Sequence, residues 1–538
     1  MKWLKKCVIL AHRYLGIALS LLIVMWFASG IVMMYAGGMP RLTTERRLDR
    51  LPALDLSRVR LTPSDAAERA GTDSTTGRVV LLSVMDRPAY RFAGGRTATT
   101  VFADSGELME DVSLAQATTI VSRFMNVPED KIHYVRTLTK EDQWTLGQGR
   151  QLPLYKFSAD DDSGTELYVA PRTGDVTVLT TRQSRMLAWM GTIPHWLYFA
   201  ALRANQPLWY RIVVWTSELA CALAVLGLIL GVTQYRRSRP LRRSLPYSGW
   251  MRWHYVTGVV FGVFTLTWAF SGLLSMEPFA WTRATGLNVR RDAFTGGPVD
   301  LSRFPAMEPA AWARVLDGRA IKEVEFARIQ DEHYYVVRQS PDEQRTQAPR
   351  ERLHQPYNVT GSTEPDRVVV AAKTLEIRRE PFSVDSLMTR LRAALPDVPI
   401  VESQLLSDYD SYYYSRGRLT PLPVLRVKFA DAAQTWVYVD PEMSQVLAQI
   451  HRLNRVERWL YNGLHSLDFS FWYDRRPLWD IGMITLCLGG LASSGIGLFL
   501  GIKRVGRGIS RTARSLAVAP PVSEPRSMPS GTAALKGS

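Results

Sequence analysis

The stretch HRYLGIALS, residues 12–20, opens an apolar run near the start of this 538-residue chain, and HYVTGVVFG, residues 254–262, opens another. In both stretches, small side chains follow the histidine four and eight residues later. Both runs then reach a Trp-x-x-Ser-Gly sequence, which ends at Gly30 in the first and at Gly272 in the second. An ionisable side chain within a long apolar helix is costly and usually functional, so the repeated histidine indicates a site.

Four segments of the chain are apolar over the length of a bilayer, which a helix of about 20 residues crosses. We predict transmembrane helices at 1–36, 207–235, 253–276 and 477–503, outer domains at 37–206 and 277–476, a basic loop at 236–252 and a tail at 504–538. The tail is rich in Ser, Pro and Ala, and this composition predicts disorder.

The net charge of +16 is also found in nucleic-acid-binding proteins, but its distribution here indicates a membrane protein. The cations that flank the apolar segments are Lys2, Lys5, Lys6, Arg236, Arg237, Arg239, Arg242, Arg243, Lys503, Arg504 and Arg507. These clusters share one side of a four-helix membrane protein, and the positive-inside rule makes that side cytoplasmic. We therefore expect cytoplasmic termini, two large external domains, a lipid bilayer around the helices and no nucleic-acid partner.

The two halves of the chain repeat each other. The first apolar stretches match at an offset of 242 residues, whereas ELYVAPRTGDV (Glu166–Val176) matches WVYVDPEMSQV (Trp436–Val446) at an offset of 270. His195 and His465 match at the same offset of 270. Each half therefore consists of a helix, an outer domain and a second helix, and a pseudo-twofold axis along the membrane normal would relate the halves.

The outer domains alternate helical and strand patterns. The segment from Leu152 to Thr181 alternates apolar and polar residues around Gly-containing turns, which predicts antiparallel strands. Amphipathic helices are predicted to begin after Ser113 and Ser383, which are suitable N-caps. The predicted fold is thus an α-helical membrane protein, with four transmembrane helices in two parallel repeats and two α+β extracytoplasmic domains.

Four of the eight histidines recur in the repeat and would form two symmetric pairs, His12 with His254 and His195 with His465. Imidazole binds zinc, copper and iron, including haem iron. Gly16 and Gly258 share a helix face with the first pair and would leave a slot for a flat group. Gly30 and Gly272 lie on the same helix faces, about 27 Å along the helix from His12 and His254, which is the depth at which the second pair is expected. The residues alone therefore leave four roles open for these histidines: binding haem, binding another metal, forming a proton path, or making purely structural hydrogen bonds.

Together, three motifs resemble the PepSY-associated transmembrane family. They are H-x-x-x-G…W-x-x-S-G in the first helix of each half, Y-V-x-P-x-x-x-x-V in each outer domain, and W-x-x-x-x-x-H before the second helix of each half. The resemblance implies a multi-pass protein of the bacterial inner membrane with PepSY-like periplasmic domains. Some members are dihaem reductases of ferric siderophores. For this chain the resemblance implies two b-type haems, with His12, His254, His195 and His465 as axial ligands.

Arg13 and Arg252 adjoin the first histidine pair, where they could contact haem propionates or mark the cytoplasmic boundary. The chain has no C-x-x-C-H sequence for covalent haem attachment, and no protease or ATPase motif.

The implied activity is that of a haem-dependent membrane reductase. Electrons from a cytoplasmic or quinol donor would cross two haems to a periplasmic Fe(III) chelate or siderophore during iron uptake. Two other interpretations remain: a non-redox, membrane-anchored PepSY module for binding, inhibition or assembly, and a siderophore permease.

Overall fold

The computed structural model describes residues 2–73, 77–94, 97–235, 245–283, 287–290, 292–317, 319–339, 367–415 and 420–517. Four described helices are long and apolar enough to cross a membrane. We name them span 1 (Lys2–Ala36), span 2 (Gln206–Gln234), span 3 (Gly249–Ser275) and span 4 (Leu478–Ala517). Together with separate β-sheets, they make the chain a membrane protein with α+β domains.

The end of span 4 differs from the sequence prediction. Its helix continues to Ala517, whereas the sequence predicts a disordered tail from residue 504. The basic loop is also shorter than predicted, because span 3 already begins at Gly249. The five arginines of that loop and residues 518–538 of the tail lie outside the described residues.

The spans form a four-helix bundle in which spans 1 and 3 each pack against both span 2 and span 4. Glycines make the approach of span 4 possible. A Cβ atom on Gly490 would overlap the ring of Phe27 in span 1, and one on Gly489 would overlap Phe261 in span 3. Since lipid gives helices no hydrophobic reason to associate, such close packing is what stabilises the bundle.

The described strands form three antiparallel sheets. The strands are β1 (Arg78–Val84), β2 (Arg87–Gly94), β3 (Thr97–Phe102), β4 (Ile132–Leu138), β5 (Leu154–Ala159), β6 (Glu166–Ala170), β7 (Asp175–Thr180), β8 (Ile321–Ile329), β9 (Glu332–Gln339), β10 (Arg367–Ala371), β11 (Ile377–Arg378), β12 (Ile400–Leu406), β13 (Val424–Phe429), β14 (Trp436–Asp440) and β15 (Gln445–Ile450). Strands β4 to β7 and β12 to β15 form separate four-stranded sheets, each in sequence order. The antiparallel strands predicted from Leu152 to Thr181 are confirmed as β5, β6 and β7.

One amphipathic helix packs on each four-stranded sheet. Leu114–Met125 follows Ser113, and Val384–Ala394 follows Ser383, as the sequence predicts. Each serine hydroxyl accepts a hydrogen bond from the backbone N–H three residues later, which satisfies a donor that the helix leaves free. The buried helix faces complete apolar cores with the inner faces of the sheets.

The third sheet joins the two outer domains, in the order β11-β10-β9-β8-β1-β2-β3. Strands β1 and β8 pair antiparallel, with Leu81 opposite Val324. Tyr90, Trp312 and Tyr335 are buried in a core to which both outer domains contribute. The outer domains are therefore continuous with each other, although the sequence divides them into separate units.

The other helices are short. They are Thr44–Arg50, Pro63–Arg69, Arg182–Met190, Thr192–Trp196, Ala200–Arg203, Asp292–Thr295, Pro309–Val315, Arg452–Arg458, Leu464–Ser466 and Ser470–Tyr473, with a π-helical turn at Trp459–Gly463 and 3-10 turns at Leu56–Arg58, Glu129–Lys131, Gly149–Gln151, Pro278–Ala280 and Leu301–Arg303. Two of them, Thr192–Trp196 and Leu464–Ser466, precede spans 2 and 4 and carry His195 and His465.

Candidate functional site

The structure brings His12 of span 1 and His254 of span 3 together, with ring centroids 6.3 Å apart. We call these two residues the inner pair. His12 Nδ1 lies 3.2 Å from the carbonyl oxygen of Leu223 in span 2, and His254 Nδ1 lies 3.1 Å from that of Ser493 in span 4. A carbonyl oxygen can only accept a hydrogen bond, so each Nδ1 carries the proton and each Nε2 keeps a lone pair.

His195 and His465 form a second pair, the outer pair, with ring centroids 6.1 Å apart. His195 Nδ1 lies 3.2 Å from the carbonyl oxygen of Trp26 and 3.1 Å from the hydroxyl oxygen of Ser29. His465 Nδ1 lies 3.0 Å from the hydroxyl oxygen of Ser271. The outer histidines thus take their hydrogen-bond partners from the repeated Trp-x-x-Ser-Gly sequence.

The two serines of that sequence determine which ring nitrogen is protonated. The Ser29 hydroxyl donates to the carbonyl of Met25 at 2.6 Å, and the Ser271 hydroxyl donates to the carbonyl of Trp268 at 3.1 Å. Because each serine proton is engaged, its oxygen is left to accept from Nδ1–H of the facing histidine. As in the inner pair, Nε2 keeps its lone pair. The sequence motif contains these serines, but their spacing alone does not reveal this role.

A glycine on a neighbouring helix faces each of the four imidazoles. A Cβ atom would lie 3.0 Å from His12 Cε1 at Gly227, 3.2 Å from His254 Cε1 at Gly497, 3.4 Å from His195 Cε1 at Gly30 and 3.8 Å from His465 Cε1 at Gly272. The absence of a side chain therefore makes room for the rings, most stringently at the inner pair.

The sequence anticipates only part of this glycine pattern. Gly30 and Gly272 face the outer histidines, where the sequence predicts a slot. Gly16 and Gly258 lie beside Leu223 and Ser493, at ordinary contact distances of 3.8 and 3.7 Å from a would-be Cβ. Their place in a haem slot stays a prediction. The sequence suggests only helix packing for Gly227 and Gly497. Their separation of 270 residues, the offset of the repeat, was the available signal.

A cavity of about 700 Å³ adjoins the outer pair. It is lined by side chains from all four spans and by the segments that precede spans 2 and 4. Five tryptophans contribute to the wall: Trp26, Trp196, Trp209, Trp268 and Trp479. Its volume lies within the range of cofactor and small-ligand sites, which is about 300–1,000 Å³.

Burial suppresses protonation of the outer pair. Both residues are partly accessible, and most of the surroundings of their rings are protein. This desolvation lowers the pKa of His195 to about 4. It also lowers the pKa of His465 to about 4, with a smaller contribution from neighbouring His195. Both imidazoles are therefore neutral at physiological pH, as a metal ligand must be.

Both halves of the chain contribute polar residues to the cavity wall. Besides the histidines, the first half provides Tyr198 and Ser217, and the second half provides among others Tyr414, Tyr461, Asn462, Asp468 and Arg476. The sequence does not single out Arg476. Of the two arginines that it does suggest as propionate contacts, Arg252 donates from Nε to the carbonyl of Tyr247 at 2.6 Å, and Arg13 is half-buried in span 1. A propionate role for Arg13 and Arg252 stays a prediction.

The geometry of both pairs fits a metal held between two imidazoles. With metal–nitrogen bonds of about 2 Å on opposite sides, the two ring centres would lie about 6 Å apart. A ligating histidine also normally donates its other N–H to a carbonyl or similar acceptor, as all four do here. The described residues contain no group of three or more His, Cys, Asp and Glu side chains that could hold a metal. Two imidazoles alone suit haem, whose porphyrin supplies the remaining ligands, better than zinc.

Comparison with known proteins places the chain in a family. No curated protein matches the chain. The family described as the PepSY-associated TM region matches residues 9–315, which is more than half of the 538 residues. The match contains spans 1 to 3 and three of the four paired histidines, and it ends before His465. The chain belongs to the PepSY-associated transmembrane family.

Proposed function

We propose that this protein binds two b-type haems, one at the inner pair and one at the outer pair, and transfers electrons across a bacterial inner membrane. The observation that supports the proposal is the repeated pair geometry: ring centroids 6.3 and 6.1 Å apart, with every Nδ1 facing an acceptor. A haem with two axial histidines supplies one-electron chemistry and leaves no coordination position open to oxygen.

The proposed topology rests on the same residues. His12 and Leu223 correspond to His254 and Ser493 at the two offsets of the repeat, and corresponding residues make corresponding hydrogen bonds. This supports two parallel repeats about an axis along the membrane normal. The cations that begin span 1 and follow the apolar part of span 4 favour a cytoplasmic inner pair, cytoplasmic termini and periplasmic sheets.

The protein holds the two sites apart and keeps water out between them. From His12 to Ser29, span 1 rises about 25 Å at about 1.5 Å per residue. The bundle core between these levels is apolar: Leu19 and Ile23 of span 1 and Ala220 of span 2 are buried there. These side chains provide a dry, low-dielectric interior, in which the orientation of the histidines is fixed by the hydrogen bonds of spans 1 to 4.

The outer cavity suggests where electrons leave. Tyr414 and Asn462, which belong to the second outer domain, line it together with the outer histidines and share a hydrogen bond of 2.8 Å. We infer that the acceptor is an Fe(III) chelate or siderophore in the periplasm, because reduction to Fe(II) weakens binding by hard oxygen ligands and releases the iron. The donor would be a cytoplasmic reductase or a quinol.

Proteoliposomes test this function directly. Fe(III) citrate and an Fe(II)-specific indicator are enclosed in the lumen, and dithionite is added outside. We expect lumenal Fe(II) to form with the wild type and to fall to the level of empty liposomes in the double variant His195→Ala/His465→Ala. The control is His133→Ala, which replaces an exposed histidine bonded to Asp160 and should form as much Fe(II) as the wild type. A haem-loaded wild type no faster than empty liposomes would refute electron transfer. Loss of Fe(III) without reduction would indicate a permease.

A further inference from the structure

Arg476 lies directly before span 4 and lines the outer cavity. Its Nη2 is buried and has no hydrogen-bond partner among the described residues. A buried guanidinium nitrogen without an acceptor is unfavourable, so most native structures supply one. The arrangement therefore points to a ligand group that accepts from Nη2.

The other edge of the Arg476 guanidinium is already fixed. Nη1 binds the carboxylate of Asp480, which also accepts a hydrogen bond of 3.0 Å from the Tyr35 hydroxyl. The guanidinium carbon lies 4.1 Å from the ring centre of Trp479 and 5.1 Å from that of Tyr473. Ion pairing and cation–π contacts thus hold the group in place before any ligand arrives.

We propose that Arg476 binds a carboxylate of the molecule in the outer cavity and that, with a b-type haem there, this carboxylate is a propionate. The inference rests on the proposed function. Guanidinium groups suit carboxylates because their planar, permanently charged fork matches the two oxygens. Asp468 also lines the cavity, but its carboxylate lies 3.5 Å from the guanidinium of Arg458. It therefore has a cation of its own.

The first half of the chain offers a matched control. The residue that corresponds to Arg476 there is Gln206, which is exposed. A different arginine, Arg203, stacks on the corresponding tryptophan, with its guanidinium carbon 4.6 Å from the ring centre of Trp209. Arg203 does not belong to the described cavity wall. The two arginines thus share a cation–π environment, and only Arg476 lines the cavity.

The first test compares Arg476→Gln, Arg476→Lys and Arg203→Gln in the full-length, haem-loaded protein. A positive charge beside a haem favours its reduced, less positive state, so Arg476→Gln should lower the midpoint potential of the outer haem. Loss of one charge-assisted bond should also speed transfer of that haem to apomyoglobin about tenfold. In Arg476→Lys the midpoint potential of the outer haem should stay close to the wild-type value, and Arg203→Gln should match the wild type in both potential and haem transfer. The inner haem reports folding, because a misfolded variant would lose both haems.

The second test changes the ligand instead of the protein. The outer site is reconstituted with haem whose propionates are methyl esters. Esterification removes a negative charge beside the haem and should therefore raise the outer potential in both proteins. It should speed transfer of the outer haem to apomyoglobin about tenfold in the wild type and have little effect on the rate in Arg476→Gln, because the same contact is already missing.

Two results would overturn the inference. One is an equal effect of the ester on the rate of haem loss from the wild type and from Arg476→Gln, and the other is an Arg476→Gln variant indistinguishable from Arg203→Gln. Both leave the two-haem proposal intact, which fails only if the wild type itself carries no haem.

Discussion

At the residue scale, one arrangement recurs four times: an imidazole whose Nδ1 is held by an oxygen and whose edge faces a glycine. The oxygen fixes the plane and tautomer of the ring. At Gly227, Gly497 and Gly30 the missing side chain would crowd the ring, whereas at Gly272 a methyl group would be in ordinary contact with it. The two pairs differ in their partners and in the space around the rings. The inner rings have main-chain carbonyls as hydrogen-bond partners and the closest glycines, whereas the outer rings have serine hydroxyls as partners and line a cavity.

Gly227 and Gly272 provide a direct comparison. A methyl group at Gly227 would lie 3.0 Å from His12 Cε1, closer than an ordinary contact, whereas one at Gly272 would lie 3.8 Å from His465 Cε1. We expect Gly227→Ala to displace His12 and weaken retention of the inner haem about tenfold or more, given that overpacking costs about 1–3 kcal/mol. Gly272→Ala should retain both haems. Haem content and the electron paramagnetic resonance spectrum of each variant would show this. Equal behaviour of the two variants would contradict it.

The histidines and half of these glycines are predictable from the sequence, because the repeat marks them. Their oxygen partners are not. Leu223 and Ser493 accept hydrogen bonds through main-chain carbonyls. Since every residue has one, the residue type at these positions does not predict the contact. Arg476 is not predictable from the repeat for another reason. Its counterpart in the first half is a glutamine, so it is not a repeated residue.

At the element scale, span 4 depends on two adjacent glycines that admit aromatic rings from spans 1 and 3. We expect Gly490→Ala to lower the thermal stability of the detergent-solubilised protein, because its methyl group would overlap the Phe27 ring. The cost should be about 1–3 kcal/mol. Gly495 lies in the same helix with nothing within 4 Å of a would-be Cβ, so Gly495→Ala is the control and should be neutral or slightly stabilising. Equal melting temperatures for the two variants would exclude this packing.

Elements follow the sequence well where the pattern is local. Apolar length predicts the four spans, and the serine caps and alternating residues predict the helix and strands of the first outer domain. The end of span 4 is not predicted, because the helix runs past its apolar segment into the basic stretch after Ile502. Tail composition alone does not mark that boundary.

At the scale of the whole molecule, the seven-stranded sheet joins the two outer domains. The contact between β1 and β8 brings Arg78 of the first domain to 2.8 Å from Glu325 of the second. Local patterns cannot predict this pairing, since any edge strand offers the same main-chain groups and the partners are about 240 residues apart in sequence.

Glu325 makes this contact sensitive to acid. Burial opposes its ionisation, but hydrogen bonds and charges from Arg78 and Arg338 outweigh burial and lower its pKa below the ordinary value. A carboxylate whose pKa is lower in the folded state stabilises the fold above its unfolded pKa, and this stability is lost as the pH falls through the folded pKa. We expect the melting temperature to drop in that acidic range and to drop less in Glu325→Gln. The exposed Glu332→Gln variant should follow the wild type. Parallel curves for wild type and Glu325→Gln would contradict the assignment.

The most direct test of the central claim is a haem count. The protein is purified in detergent from haem-sufficient cells, and oxidised and dithionite-reduced spectra are recorded with a pyridine haemochrome assay. We predict a reduced spectrum typical of b-type haem, with two haems per chain in the wild type. One haem should remain in His12→Ala/His254→Ala and one in His195→Ala/His465→Ala. A wild-type protein without haem, or paired variants that keep both haems, would contradict the account.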